Sequence, residues 1–179
     1  FAVLHFPVNR QTHSDAGTYE QEVNFIVGSD FLITVRYDTI DTIHRFSKRA
    51  DVDAAINHKE TPTNGAHIFI SILHTFYQSA DDELRFLEDW TDEIETRIFS
   101  GDEKDMVESL SEVPRILINF RKTLSLHTEP LRELEEAVRS FFNMNETSRL
   151  ATVIDKHLKF IDTIDHEIET ARELRETNN

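Results

Sequence analysis

A chain of 179 residues that is 39% apolar and carries 13 Phe has enough material for one domain core, or one and a half. Its net charge of −15 is uneven: residues 1–80 hold 9 acids and 6 bases, residues 81–179 hold 25 acids and 13 bases, a balance that argues against nucleic acid as a partner and suits cations. The absence of cysteine excludes a disulfide scaffold and thiolate metal sites, and no run of about 18 apolar residues is present to span a membrane.

Only four Gly and four Pro occur, which favours long continuous helices over a loop-rich β fold. Residues 1–8, FAVLHFPV, are apolar and lack a helical period, so they predict a strand that begins abruptly at Phe1; the expectation is a piece of a longer protein. A polar stretch with Gly17 follows. The runs 20–27 and 31–37, joined by Gly28-Ser29-Asp30, predict an antiparallel hairpin with Gly28 at positive φ. Because Phe25, Ile26, Val27 and Phe31, Leu32, Ile33 are nearly continuous rather than alternating, the sheet is expected to be covered on both faces.

After Asp41 the apolar period changes to about 3.6. Ile43, Phe46, Ala50 and Ala54 predict a helix over 41–57, interrupted by Pro62 and Gly65. A helix of about 34 residues then carries Ile68, Ile72, Phe76, Leu84, Leu87, Ile94 and Ile98 to Ser100-Gly101. A second, over about 103–142, shows Met106, Leu110, Val113, Leu117, Phe120, Leu124 and Leu131 on one broad face, with kinks or short breaks expected at Pro114 and Pro130. In the last thirty residues Ile154, Ile161 and Ile168 stand seven apart while His157, Ile164 and Ala171 fill the alternate positions, a heptad seam. Such a seam packs either on the other two helices or between subunits. Short loops make the three helices antiparallel neighbours.

No phosphate-binding loop, nucleophile elbow or zinc-protease helix is present; HEIET at 166–170 ends in Thr170 where the second His would stand. Lone histidines in helices are seldom ligands, and carboxylate pairs at helical spacing, such as Asp89 with Asp92 and Glu93, arise by chance in so acidic a chain.

Four strings in order, VNFIVGSDFLITVRYDTID, ISILHTFYQSADDELRFLEDWTDEIETRIFSG, LINFRKTLSL and VIDKHLKFIDTIDHEIETARE, resemble the cytoplasmic domain of the CorA family of divalent-cation transporters, which includes magnesium and cobalt channels and the related zinc transporter ZntB. The resemblance covers about residues 1–176. It implies an α+β fold: a partial mixed sheet with flanking helices in an α/β/α arrangement over 1–62, long antiparallel "willow" helices over 63–145, and a stalk helix over 146–179 cut before the first transmembrane helix. It further implies a pentamer at the cytoplasmic face of the cell membrane, no enzymatic activity, no required cofactor, and regulatory Mg2+ or another divalent cation bridging subunits.

Three departures accompany the resemblance. The Gly-Met-Asn signature and the pore segments are absent. Leu126-His127-Thr128-Glu129 stands where the family usually has Pro-Leu-Arg-Glu, with Pro130 displaced by one turn. The positions of the family's bridging acids hold Asn9-Arg10 and Thr152; Asp155, one turn beyond Thr152, falls on the family's Asp-His position, so Asp155 and, two turns on, Asp162 are the candidate metal ligands. A zinc-transporting member and a free-standing cytosolic protein that binds a partner through a coiled-coil seam are the alternative readings. A carboxylate-metal hydrolase is a weaker third, since no Glu-x-x-His pattern supports it.

Overall fold

The computed structural model describes residues 1–7, 20–37, 42–49, 64–101 and 103–177. Three strands, β1 (Ala2–Pro7), β2 (Glu20–Val27) and β3 (Leu32–Arg36), form a sheet in the order β1-β2-β3, antiparallel throughout where the resemblance implies a mixed one. Period-two alternation sends Ala2, Leu4 and Phe6 of β1 and Val23 and Phe25 of β2 into the core, paired Ala2 with Phe25 and Leu4 with Val23. The opposite face leaves Ile26, Ile33 and Val35 between 40% and 50% exposed. The expectation of a sheet covered on both faces therefore fails for the described residues: the apolar run is continuous in sequence, but only every second side chain meets the helices.

The hairpin exists, with a different turn from the one predicted. Gly28 N–H donates to the Phe31 carbonyl at 2.9 Å, and it is Gly101, not Gly28, that adopts positive φ, at 96°. A Cβ at 28 would overlap the Phe31 ring as it now sits, and Phe31 is exposed and free to swing aside. At Gly65 glycine is required because a Cβ would run into the carbonyl oxygens of Gly28 and Phe31, while the Gly65 N–H donates to the Ser29 carbonyl at 2.9 Å. The hairpin loop and the start of the first long helix thus meet backbone to backbone.

Helix α1 (residues 42–49) lies within the predicted 41–57 helix; positions 50–57 are outside the described residues. Ile43 and Phe46 pack against the core. Helix α2 (Gly65–Phe99) starts on Asn64, whose side chain accepts from the His67 N–H at 2.7 Å, and ends at Ser100-Gly101 as its sequence predicts. The stretch predicted as one helix over 103–142 is two, α3 (Glu103–Ser125) and α4 (Thr128–Phe141), so residues 63–145 hold three helices. Pro114 lies inside α3 without ending it. Pro130 sits in the first turn of α4, where its missing N–H has no helical partner to lose, so the break comes just before it.

Helix α5 (Met144–Thr177) begins where Asn143 accepts from the Glu146 N–H at 3.1 Å. Its seam packs within the chain: His157, Ile164, Ile168 and Ala171 are buried together with Val153 and Phe160, while Ile154 and Ile161 are half-buried against the same core. Arg121 of α3 clasps Asp165 of α5 with a bidentate pair, and Phe120 meets Phe160 at 6.0 Å between ring centres. These crossings, with Leu110, Val113 and Ala171 meeting at the far end, show α3 running against α2 and α5. At the other end the sheet closes the bundle through Phe6 stacked on Phe76, 3.9 Å between centres.

Candidate functional site

Asp155 and Asp162 lie exposed on one face of α5, seven residues apart and turned away from the bundle. Among the described residues no three His, Asp or Glu side chains gather as a metal-binding group, at these two positions or elsewhere. Thr152 is exposed on the same helix and its hydroxyl donates to the Ser148 carbonyl at 3.2 Å, while Asn9 and Arg10 fall outside the described residues.

A groove of about 320 Å3 runs between α2 and α5, with Leu84 and Phe160 as its floor and Asp81, Arg85, Glu88, Lys156 and Lys159 along its rim. Arg85 holds Asp81 at 2.9 Å. Further along, Glu88 of α2 and Glu167 of α5 both have carboxyls raised above the usual range, by burial first; repulsion from Glu167 and Asp81 adds to the rise at Glu88, opposed by Arg85, while at Glu167 His166 opposes the rise and Asp92 assists it.

A polar assembly is buried where strand β1, helix α2, the start of α4 and helix α5 converge. Tyr77, His127 and His157 are each at most 1% exposed. Tyr77 Oη lies 2.8 Å from His127 Nδ1 and 3.3 Å from His157 Nδ1; His127 Nε2 lies 2.6 Å from the His5 carbonyl; His157 Nε2 lies 3.2 Å from Thr128 Oγ1. The carbonyl can only accept, which fixes every proton in turn. His127 carries its proton on Nε2 and donates it to His5. Its Nδ1 must therefore accept from the Tyr77 hydroxyl. Tyr77 oxygen then accepts from His157 Nδ1–H, and His157 Nε2 accepts from Thr128.

Burial keeps both imidazoles neutral. It pushes His127 down to about 4, opposed by the bond to the His5 carbonyl and assisted by repulsion from His157 and His5; it lowers His157 as well, and it raises the Tyr77 phenol. In the sequence His157 stands on the α5 seam, and no motif singles out Tyr77 or His127. The one local signal is a histidine at a seam position otherwise held by apolar residues.

The model of the CorA-like Mg2+ transporter protein family matches residues 1–179, whereas no curated protein matches the sequence. Among solved structures, the ZntB cytoplasmic domain from Vibrio parahaemolyticus aligns with a TM-score of 0.74 at 14% identity, covering 98% of this chain and 66% of that one. The CorA magnesium transporter from Methanocaldococcus jannaschii aligns with a TM-score of 0.78 at 17% identity, covering 98% and 53%. The full-length CmaX protein aligns with a TM-score of 0.78 at 12% identity, covering 98% and 52%. The present chain thus spans between about half and two thirds of these structures, and at such identities the likeness is one of fold. With the family model matched from the first residue to the last, the chain belongs to the CorA-like Mg2+ transporter family.

Proposed function

We propose that this chain is the cation-responsive cytoplasmic part of a divalent metal-ion transporter of this family, joined in the whole protein to membrane-spanning segments and assembled as a pentamer. The observation that carries the reading is the family match over the full chain. The acidic composition supports it, because hard divalent cations are held by a few carboxylate and water oxygens, and acids from two subunits suffice. In this reading Asp155 and Asp162, exposed on one face of α5, are metal ligands completed by a neighbouring subunit. A cation there offsets repulsion between acidic neighbours, and its loss favours the separated arrangement. The chain acts as a sensor and gate element and not as an enzyme.

Thermal unfolding of the chain in Mg2+, Co2+, Ni2+ and Zn2+ tests this and ranks the ions, a zinc-transporting member being the second reading within the same family. At about 100 times the dissociation constant a bound ion adds about 2.7 kcal/mol of stability. Asp155→Ala with Asp162→Ala should abolish the rise in midpoint and any metal-dependent association seen by light scattering. A rise that survives both substitutions removes these residues as ligands; no rise with any of the four ions sinks cation sensing by this chain. The alternative of a free coiled-coil binder is disfavoured by the burial of the α5 seam within its own bundle.

A further inference from the structure

The buried chain from Thr128 to the His5 carbonyl joins four elements through two imidazoles and one phenol, and each of its members has a distinct response to an added proton. Thr128 is the exposed end. If His157 gains a proton on Nε2, the Thr128 hydroxyl can turn and accept it, and the other three bonds survive. If His127 gains one on Nδ1, the Tyr77 hydroxyl must turn away. Tyr77 oxygen then faces two N–H donors, its own proton has no partner in the chain, and a buried cation stands beside another imidazole.

We propose that Tyr77, His127 and His157 form an acid-sensitive latch that holds β1 and the first turn of α4 against α2 and α5 while His127 is neutral, and frees β1 and that turn when His127 is protonated. The groups facing the latch set its sign. From β1, His5 adds positive charge on protonation, with its ring 3.9 Å from Glu20 and 3.8 Å from Glu22 of β2; from α3, Thr123 donates to Glu20 at 3.2 Å. From α2 comes the phenol of Tyr77, from α4 the hydroxyl of Thr128, and from α5 the second imidazole. Among the described residues no carboxylate hydrogen-bonds to the latch, so acidification adds charge there without adding a counter-ion. The burial that holds His127 down to about 4 is consistent with this order of events. The latch belongs to the fold itself and operates whether or not the chain serves a transporter.

Two measurements on the whole 179-residue chain test it. Ring-nitrogen NMR at pH 7.5 should find His127 protonated on Nε2 and His157 on Nδ1; the opposite tautomer at His127 overturns the latch without any mutation. Amide exchange followed from pH 7 to pH 4 should show residues 2–6 and 128–132 losing protection at least tenfold while Leu87, Ile94, Leu117 and Ile164 keep theirs. His127→Gln, which retains a donor for His5 and an acceptor for Tyr77 but does not titrate, should keep β1 protected to lower pH than the natural chain. Release of β1 at unchanged pH in that variant, or loss of protection everywhere at once in the natural chain, overturns the proposal.

Discussion

Tyr77 and His127 stand fifty positions apart in sequence, yet the phenol oxygen of one lies 2.8 Å from Nδ1 of the other in a site closed to solvent. Because the His127 Nε2–H is committed to the His5 carbonyl, this contact is directional and cannot be replaced by water without opening the core. Tyr77→Phe keeps the ring and its edge contacts with Phe6 and both histidines, but strands an acceptor on His127 and a donor on His157. The expected cost is about 2–4 kcal/mol, two unsatisfied buried groups at about 1–3 kcal/mol each with partial relaxation. Urea denaturation measures it; a loss under about 0.5 kcal/mol would mean that the hydroxyl is not the hub of the network.

Stability should fall with acid in a defined window. His127 has its imidazole held at about 4 in the folded chain against 6.5 when unfolded, so the unfolded state binds the extra proton between those values. The contribution is complete above about pH 6.5 and is lost as the pH falls toward 4, a total of about 3 kcal/mol. His157, also lowered, adds in the same direction. Denaturation midpoints collected from pH 8 to pH 4 should decline through this range, and the decline should shrink in His127→Gln. An equal decline in both proteins would assign the acid sensitivity to carboxylates instead.

Gly65→Ala should be among the more damaging small changes. The new methyl would collide with two backbone oxygens of the β2–β3 loop, which cannot rotate away as a side chain could. A cost of about 1–3 kcal/mol is expected, with exchange protection lost first at Gly28 and Gly65 themselves. Gly101→Ala is the control: open space surrounds it, and the expense is the positive φ alone, about 1 kcal/mol. If the two variants are equally stable, the close approach at Gly65 is softer than its geometry implies.

Neutralising Glu88 of α2 or Glu167 of α5 should help the fold. Glu88 and Glu167 both carry raised carboxyls, the mark of a charged form that burial and like charge disfavour. Glu88→Gln and Glu167→Gln should each raise the thermal midpoint at low salt, and the gain should fade above about 0.5 M salt, where the screening length falls to a few ångströms. A midpoint that drops in both variants would contradict the direction assigned to the pair.

Much of this architecture could be read from periodicity. The strands, the ends of α2 and the seam of α5 follow from apolar spacing, because a helix or strand must bury one face whatever surrounds it. The break between α3 and α4 is foreshadowed by Pro130, though it falls three to four residues earlier, where Leu126 and His127 leave the helix and His127 turns inward. The exposure of Ile33 and Val35 was not legible, since a run of β-branched residues looks the same whether one face of a sheet is covered or two. The latch was hidden for a different reason. Tyr77, His127 and His157 carry no fixed spacing, and only the packing of β1, α4 and α5 on α2 makes them neighbours. Asp155 and Asp162 remain proposals because an exposed acid satisfies its own solvation on any helix surface.

The backbone-to-backbone seat of Gly65 on the hairpin loop also has a mechanical meaning. Helix α2 is 35 residues long and so extends about 52 Å from that seat. It is tied near its base by Asn64, by the Gly65 amide and by the stacked Phe6 and Phe76, while Phe99 at its far end is exposed. A tilt of about 5° about the seat would carry that tip about 4.5 Å, given the rise of 1.5 Å per residue. Because α3 and α5 pack along α2 as far as Ile94, a tilt at the hairpin seat cannot be taken up by α2 alone and would have to carry the neighbouring helices with it.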